Sequence, residues 1–167
     1  LLSSKPTFYI ANVDDSETSQ EYLRRLQNIV NNLGSLVIPA SVKIEQEISL
    51  LKDDEKKEYL DLLGMDEPVL NKIIFEGYKI LGLKTFFTAG PKEIRAWTIK
   101  NGSTAPNAAG TIHTDFERGF IKAEVIDFED YIQCCGELGA KEKGKLRLEG
   151  KDYIVKDGDV IHFKFNV

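Results

Sequence analysis

The fold of the first half of the chain is decided by residues 7–39, which read TFYIANVDDSETSQEYLRRLQNIVNNLGSLVIP. Two short apolar runs, residues 7–11 and 36–39, flank a stretch with helical spacing over residues 18–33. Neither run alternates apolar with polar residues, which is typical of strands covered on both faces in a parallel sheet. A strand, a helix and a strand within about thirty residues predict a right-handed parallel βαβ unit.

The helices around this unit are predicted from their 3.6-residue periodicity. Thr18 or Ser19 is the predicted N-cap of the first helix, and Gly34 follows its end. After Ser41 the helical pattern resumes and is broken by the charged run 52–58, which we interpret as a solvated face or a turn. A third helix is predicted over residues 67–82. The first half is therefore α/β.

The second half changes to short β-rich segments punctuated by Gly and Asn. A short helix is predicted over residues 104–109, and Asn101-Gly102 and Asp157-Gly158 are tight-turn dipeptides. The predicted strands are residues 85–88, 93–99, 120–126, 153–155 and 160–165. This order favours a small α+β domain with a β-grasp arrangement.

Composition excludes several classes of protein. The chain has 167 residues, 42% of them hydrophobic, which is typical of a globular protein with its own core. A net charge of −5 argues against a non-specific nucleic-acid binder. No apolar stretch approaches the ~20 residues that span a bilayer. We therefore expect no membrane partner and no DNA partner. Adjacent cysteines rarely have the geometry to bridge each other, so we also expect a reduced intracellular setting.

Polar residues at the carboxyl ends of parallel strands lie where open α/β sheets bind ligands. Asn12 and Asp15 follow the first strand, where the Asn12 amide can tie neighbouring loops together and the Asp15 carboxylate can accept hydrogen bonds from a nucleobase. Ser41 follows the second strand and can face the same ligand. The alternative is an ordinary turn and helix entry at residues 12–16 and a helix cap at Ser41.

Histidines and cysteines give little sign of catalysis or metal binding. His113 is interpreted as capping a turn, because no Ser or Cys nucleophile pattern accompanies it. His162 alternates with apolar residues in the last strand and is predicted to face solvent. Metal sites need three or four convergent ligands, and Cys134-Cys135 has no histidine near it in sequence. We therefore expect no metal site and no catalytic residue in this chain.

One basic group stands out in the second half of the chain. Lys141, Lys143, Lys145 and Arg147 lie among glycines and can contact a phosphate backbone. The alternative is a solvated loop and hairpin. A glycine-rich phosphate loop ending in Gly-Lys-Ser or Gly-Lys-Thr is absent from the sequence.

Four blocks of sequence, residues 5–13, 86–99, 108–121 and 145–153, closely resemble the C-terminal part of the YchF-type proteins, which are Obg-related P-loop NTPases. The resemblance spans essentially all 167 residues. It implies that residues 1–82 are the last portion of a nucleotide-binding G domain. Residues 83–167 would be a TGS domain, a β-grasp module.

The resemblance also implies roles for individual residues. Asn12, Val13 and Asp15 fall on the base-recognition motif, with Val13 where GTPases usually have lysine and Asp15 where this family usually has Glu. Ser41 falls in the loop on the other side of the base. The family's phosphate loop and magnesium ligands match no part of this sequence. ATP or GTP with Mg²⁺ is therefore implied only for a full-length protein, with no tightly bound cofactor and no hydrolysis in this chain.

Two functions remain in competition at this point. The first is a C-terminal fragment of a cytoplasmic, ribosome-associated ATPase or GTPase, with RNA contact through the TGS domain. The second is a free-standing RNA or ribosome interaction module without nucleotide chemistry. A small hydrolase that uses His113 has little support.

Overall fold

The computed structural model describes residues 1, 4–90 and 93–166 and contains two compact units, Leu1–Ile80 and Leu81–Val167. We call them the N-terminal unit and the C-terminal unit. The N-terminal unit runs in the order β1 (Phe8–Asn12), α1 (Glu17–Asn32), β2 (Leu36–Ala40), α2 (Val42–Leu50), α3 (Asp53–Leu63) and α4 (Val69–Ile80).

The predicted βαβ unit is confirmed. Strands β1 and β2 pair in parallel, with a register from Phe8↔Leu36 to Asn12↔Ala40. Ile38 of β2 is fully buried, and Val30 of α1 is 2% exposed. Because the two strands end opposite each other, the loops that follow them are neighbours.

The predicted N-cap of α1 is wrong by two or three residues. The cap is Ser16, whose side chain accepts a hydrogen bond from the Ser19 backbone N–H. The Asp14 carboxylate accepts a hydrogen bond from the Ser16 N–H and so forms a turn just before the helix. The helix therefore begins before the first apolar residue of its periodic pattern. Gly34 follows the end of the helix with φ +68°, as predicted from its freedom to adopt that conformation.

The other helices of this unit follow the predictions with small shifts. The charged run 52–58 lies almost wholly in the first turns of α3, mostly exposed, which confirms its interpretation as a solvated face. Helix α4 starts at Val69 and ends at Ile80, inside the predicted range. The Glu45 carboxylate of α2 accepts hydrogen bonds from the Val69 and Leu70 N–H groups, at 2.8 and 3.1 Å. It thereby caps α4 from a neighbouring helix.

The C-terminal unit is a five-stranded sheet with helices. It runs in the order β3 (Leu83–Ala89), β4 (Ile94–Lys100), α5 (Ala105–Ile112), α6 (Thr114–Arg118), β5 (Phe120–Ile126), α7 (Phe128–Gln133), α8 (Glu137–Glu142), β6 (Arg147–Glu149) and β7 (Val160–Phe165). The spatial order is β4-β3-β7-β5-β6. Strand β7 is parallel to β3 and antiparallel to β5.

Four of the five predicted strands are confirmed, two of them with identical bounds, and residues 153–155 are not a strand. Ile154 forms only an isolated bridge with Thr104. Ala105 N–H donates to the Tyr153 carbonyl, and Val155 N–H donates to the Ser103 carbonyl, so this segment packs beside the start of α5. Three short helices, α6 to α8, and the three-residue strand β6 were not predicted, because such short elements carry too little periodicity.

The core of the C-terminal unit lies between the sheet and α5. It is built around Phe86, Val125, Val155 and Ile161, which are at most 2% exposed. Helix α5 contributes three fully buried alanines, whose small side chains let it approach the sheet closely. Within the described residues, no helix is long and apolar enough to cross a membrane.

Candidate functional site

The loops after β1 and β2 are tied together by two hydrogen bonds. The Val13 backbone N–H donates to the Ala40 carbonyl at 3.0 Å. The Asn12 side-chain oxygen accepts from the Val42 N–H at 3.2 Å. This second bond spans 30 residues of sequence and confirms that the Asn12 amide links the two loops.

The adjacent aspartates in the first loop have different surroundings. The Asp14 carboxylate accepts hydrogen bonds from the Ser16 N–H at 3.0 Å and the Ser16 hydroxyl at 2.5 Å. These bonds hold the pKa of Asp14 below its ordinary value. Asp15 is exposed, and nothing in ranges 4–90 and 93–166 forms a hydrogen bond or ion pair with its carboxylate. Asp14 therefore builds the turn, and the Asp15 oxygens remain able to accept hydrogen bonds from a ligand.

A cavity of about 290 Å³ opens beside the end of β1. Its polar lining comes from Asn12, Ser19 and Tyr22. The rest is apolar: Ala11, Val13, Leu23 and Leu26. The structure thus brings Asn12 and Val13 to one cavity, while Asp15 and Ser41 lie outside its lining. The Ser41 hydroxyl caps α2 by accepting from the Ile44 N–H at 3.5 Å, which matches the alternative interpretation of this residue.

The predicted basic group is divided by the structure. Lys141 and Lys143 are exposed at the end of α8. The Lys145 ammonium lies 3.1 Å from the Asp130 carboxylate. Arg147 faces inward, and its side chain is 33% exposed. Arg147 therefore does not share a free basic surface with the three lysines.

Arg147 belongs to a partly buried polar network. Its guanidinium lies 2.7 Å from Asp127 Oδ2, 3.4 Å from Glu149 Oε1 and 3.5 Å from Asp159 Oδ1. The hydrogen bond from Arg147 lowers the pKa of Asp127 and raises that of Arg147. The Arg147–Asp159 approach lacks hydrogen-bond geometry, so within the described residues Asp159 Oδ1 is buried without a hydrogen-bond partner.

Asp159 is the one charged side chain in the described core, at 1% exposure. Its Oδ2 accepts from the Tyr153 hydroxyl at 2.7 Å and from the Lys156 N–H at 2.8 Å. Burial raises the pKa of Asp159, and burial with the bond to Asp159 raises the pKa of Tyr153. The apolar pattern of the sequence gives no sign of this network, although the Asp157-Gly158 turn marks the loop that carries it.

His113 caps a short helix. Its Nδ1 accepts from the Asp115 N–H at 3.2 Å and lies 3.4 Å from the Asp115 carboxylate. This confirms the turn-capping interpretation. Among the described residues no Ser hydroxyl or Cys thiol forms a hydrogen bond with His113, so the geometry gives the small-hydrolase hypothesis no support.

Comparison with known proteins gives a consistent result. The family model YchF-GTPase_C, described as "Protein of unknown function (DUF933)", matches residues 83–166. The chain is 59% identical over 167 residues to a "Ribosome-binding ATPase YchF" of Pasteurella multocida, with 99% of this chain and 46% of that protein covered. A protein of the same description from Bacillus subtilis is 49% identical over 171 residues, covering 100% of this chain and 47% of its own length. The chain thus spans about half the length of these curated relatives.

Two solved structures are similar as well. The Schizosaccharomyces pombe YchF GTPase superposes with a TM-score of 0.84 at 34% identity, covering 98% of this chain and 44% of that one. A GTP binding protein from Pyrococcus horikoshii OT3 superposes with a TM-score of 0.59 at 21% identity, covering 91% and 43%. The second likeness concerns the fold alone.

Proposed function

The chain belongs to the YchF family, and its sequence matches the C-terminal part of these proteins, so we propose that it functions as part of a cytoplasmic, ribosome-associated protein. When full-length, that protein binds and hydrolyses ATP or GTP. In this proposal residues 1–82 are the last portion of a P-loop G domain. Residues 83–167 are a β-grasp TGS domain. The alternative is an RNA or ribosome interaction module without nucleotide chemistry.

The observation that carries the nucleotide proposal is the Asn12 hydrogen bond to the Val42 N–H. It holds together the two loops that follow neighbouring parallel strands, where ligands of open α/β sheets bind. The exposed Asp15 carboxylate lies in the first of these loops. Together, the Asp15 carboxylate supplies a hydrogen-bond acceptor for the edge of a purine base, and the two linked loops supply a fixed position beside that base.

The β-grasp assignment is supported by strand order. The first and last strands of the C-terminal unit are parallel neighbours at the centre of its sheet, and each is flanked by an antiparallel partner. A helix packs its alanines against one face.

The phosphates and Mg²⁺ find no fit among the described residues at this site. The cavity beside Asn12 is lined by no Lys, Arg, Asp or Glu side chain. Phosphoryl transfer depends on positioned cations around the phosphates. We therefore derive no step of hydrolysis for this chain and limit its proposed role to the base.

Asp15 is proposed to set the base preference. Guanine presents adjacent N–H donors that one carboxylate accepts together, whereas adenine presents an amino donor beside an acceptor. Asp15 is one methylene shorter than the Glu implied by the family resemblance, so adenine should be tolerated. Val13 in place of lysine removes a packing surface for either purine and should weaken affinity more than preference.

Asp15→Glu and Asp15→Ala in the full-length protein are expected to change the ratio of ATP to GTP affinity, measured by calorimetric titration. The exposed Asp54 of α3 offers a control, and Asp54→Ala should leave the ratio unchanged. If neither Asp15 variant moves the ratio by more than about twofold, well below the tenfold that ~1.4 kcal/mol represents, Asp15 does not read the base.

Ribosome binding is proposed to involve Lys141 and Lys143. These exposed lysines can contact phosphates, whereas Lys145 and Arg147 are held by carboxylates. The double variant Lys141→Ala, Lys143→Ala should weaken co-sedimentation with ribosomes and reduce the slope of log affinity against log salt by about 2. Lys100→Ala, at an exposed position on β4, serves as the control.

An unchanged salt slope in the double variant would remove these lysines from the proposed contact. Stable ribosome binding by the 167-residue chain, undiminished by Asn12→Ala and Asp15→Ala, would favour the interaction-module alternative instead.

A further inference from the structure

Three side chains that commonly bind metals converge on the face of the C-terminal sheet opposite the α5 core. Glu124 of β5 and His162 of β7 are directly paired across the antiparallel ladder. Glu137 is the first residue of α8. One ligand atom from each of the three lies within 4.8 Å of the other two.

A small cavity lies among these side chains. Its volume is about 10 Å³, and Glu124, Glu137 and His162 all line it. The rest of the lining is largely apolar: Ala89, Ile126, Tyr131, Leu146, Val160 and Ile161. Such a space is close to the limit for one water-sized sphere. It is large enough for a single ion.

The position already attracts a cation from the protein itself. The Lys164 ammonium lies 3.2 Å from Glu124 Oε2 and 3.4 Å from His162 Nδ1. It also lies 3.5 Å from His162 Nε2, although a neutral imidazole has only one acceptor nitrogen. Among the described residues Glu124 is the one carboxylate paired with this ammonium, and the Glu137 carboxylate forms no ion pair or hydrogen bond, so it remains available to a metal ion.

We propose that Glu124, Glu137 and His162 bind a divalent transition-metal ion of the Zn²⁺ class, and that Lys164 is its built-in competitor. One imidazole nitrogen and two carboxylate oxygens form a three-ligand set that leaves a fourth, tetrahedral position for water. The imidazole favours Zn²⁺ over Mg²⁺ and Ca²⁺, which prefer oxygen ligands alone.

Binding requires only small side-chain movements. Zn²⁺ binds nitrogen and oxygen at about 2.0–2.2 Å, so tetrahedral ligand atoms lie roughly 3.4 Å apart. Closing from within 4.8 Å moves the ligand atoms by about an ångström. Both glutamates have flexible side chains, and Lys164 is 37% exposed and can turn to solvent. The ion would link β5, β7 and α8.

This proposal replaces the expectation from sequence that the chain has no metal site. The three ligands lie 13 and 25 residues apart in sequence, without the short spacings of a zinc motif. Strand pairing and the start of α8 bring them together.

The test is a calorimetric titration of ZnCl₂ into the 167-residue chain, which should bind one ion. His162→Ala and Glu137→Gln should each weaken binding at least about tenfold. Lys164→Met should strengthen it, because the competing ammonium is removed. His113→Ala is the matched control for the other histidine and should change nothing. Cys135→Ser should also change nothing, although this thiol is exposed.

The proposal is overturned if Zn²⁺ does not bind, if His162→Ala binds as tightly as the parent, or if Cys135→Ser abolishes binding. It also fails if Lys164→Met leaves the affinity unchanged, since the ammonium then does not occupy the same position. Trp97 fluorescence verifies folding of each variant, and Glu137→Gln, outside the sheet, keeps the test valid if His162→Ala fails to fold.

Discussion

Replacing Arg147 by Met is expected to lower the free energy of unfolding of the C-terminal unit by about 3 kcal/mol. Removing one partner of a buried ion pair costs about 3–5 kcal/mol, and the lower value applies because Arg147 is one-third exposed. The loss arises mainly at Asp159, which is buried and would be left without its ion-pair partner among the described residues. Asp127 is half exposed and loses less.

Urea unfolding followed by Trp97 fluorescence measures this loss, because the chain has one tryptophan and it lies in the C-terminal unit. Lys145→Met is the matched control in the same segment. It removes an ion pair with Asp130 that is more open to solvent than the contact between Arg147 and Asp159, so its cost should stay below about 1 kcal/mol. Equal losses in the two variants would contradict a special role for the Arg147 network.

The loss in Arg147→Met should shrink as the pH is lowered. Burial raises the pKa of Asp159, and removing the guanidinium raises it further. The folded variant then binds a proton on Asp159 more tightly than the unfolded chain does, because an aspartate in the unfolded chain titrates at about 3.9. Acidification therefore favours folding of the variant. The stability gap to the parent chain should therefore narrow below neutral pH. Asp127, whose pKa Arg147 lowers, acts in the same direction, because its contact with the guanidinium is also lost when the carboxylate is protonated. A gap that stays constant or widens on acidification would contradict the role of these carboxylates.

Replacing Phe86 by Ala is expected to cost about 3–5 kcal/mol. Phe86 is fully buried and meets Phe163 edge to face at 5.8 Å between ring centroids. Its removal leaves a cavity between two strands that are already at the centre of the sheet, where neighbours have little freedom to collapse. The result would be loss of most of the stability of a domain of this size.

Phe128→Ala provides the comparison for Phe86. Phe128 is 47% exposed and contacts Phe87 with centroids 5.5 Å apart. Truncation removes less buried surface and opens no enclosed cavity, so we expect a loss of about 1 kcal/mol. Urea midpoints from Trp97 fluorescence rank the two variants, and a ranking with Phe128 first would place the core elsewhere.

Local pattern was sufficient for most of the fold. Strands β5 and β7 have the predicted bounds, and the βαβ unit was predicted from residues 7–39. These predictions succeed because apolar periodicity records which side of an element is buried. The link made by Asn12 was also predictable, since parallel strands bring their carboxyl ends to the same edge of a sheet.

The contacts of individual side chains could not be predicted from local pattern. Arg147 has the same local composition around it as Lys143, yet one enters a buried network and the other stays exposed. Residues 153–155 look like a strand, yet they lie beside α5 because their backbone groups bond to Ser103 and Ala105. Nothing within a few residues of these positions distinguishes the outcomes.

The amino-acid sequence by itself therefore determined the two-part α/β and α+β organisation, the principal strands and helices, and the likeness to the YchF family. Only the tertiary structure decided that Arg147 neutralises Asp159 and that Glu124, Glu137 and His162 meet at one point. The physical reason is that secondary structure follows from burial of periodic apolar positions along one segment. Contacts between charged side chains depend instead on strand register and loop paths, which are set by packing of the whole unit.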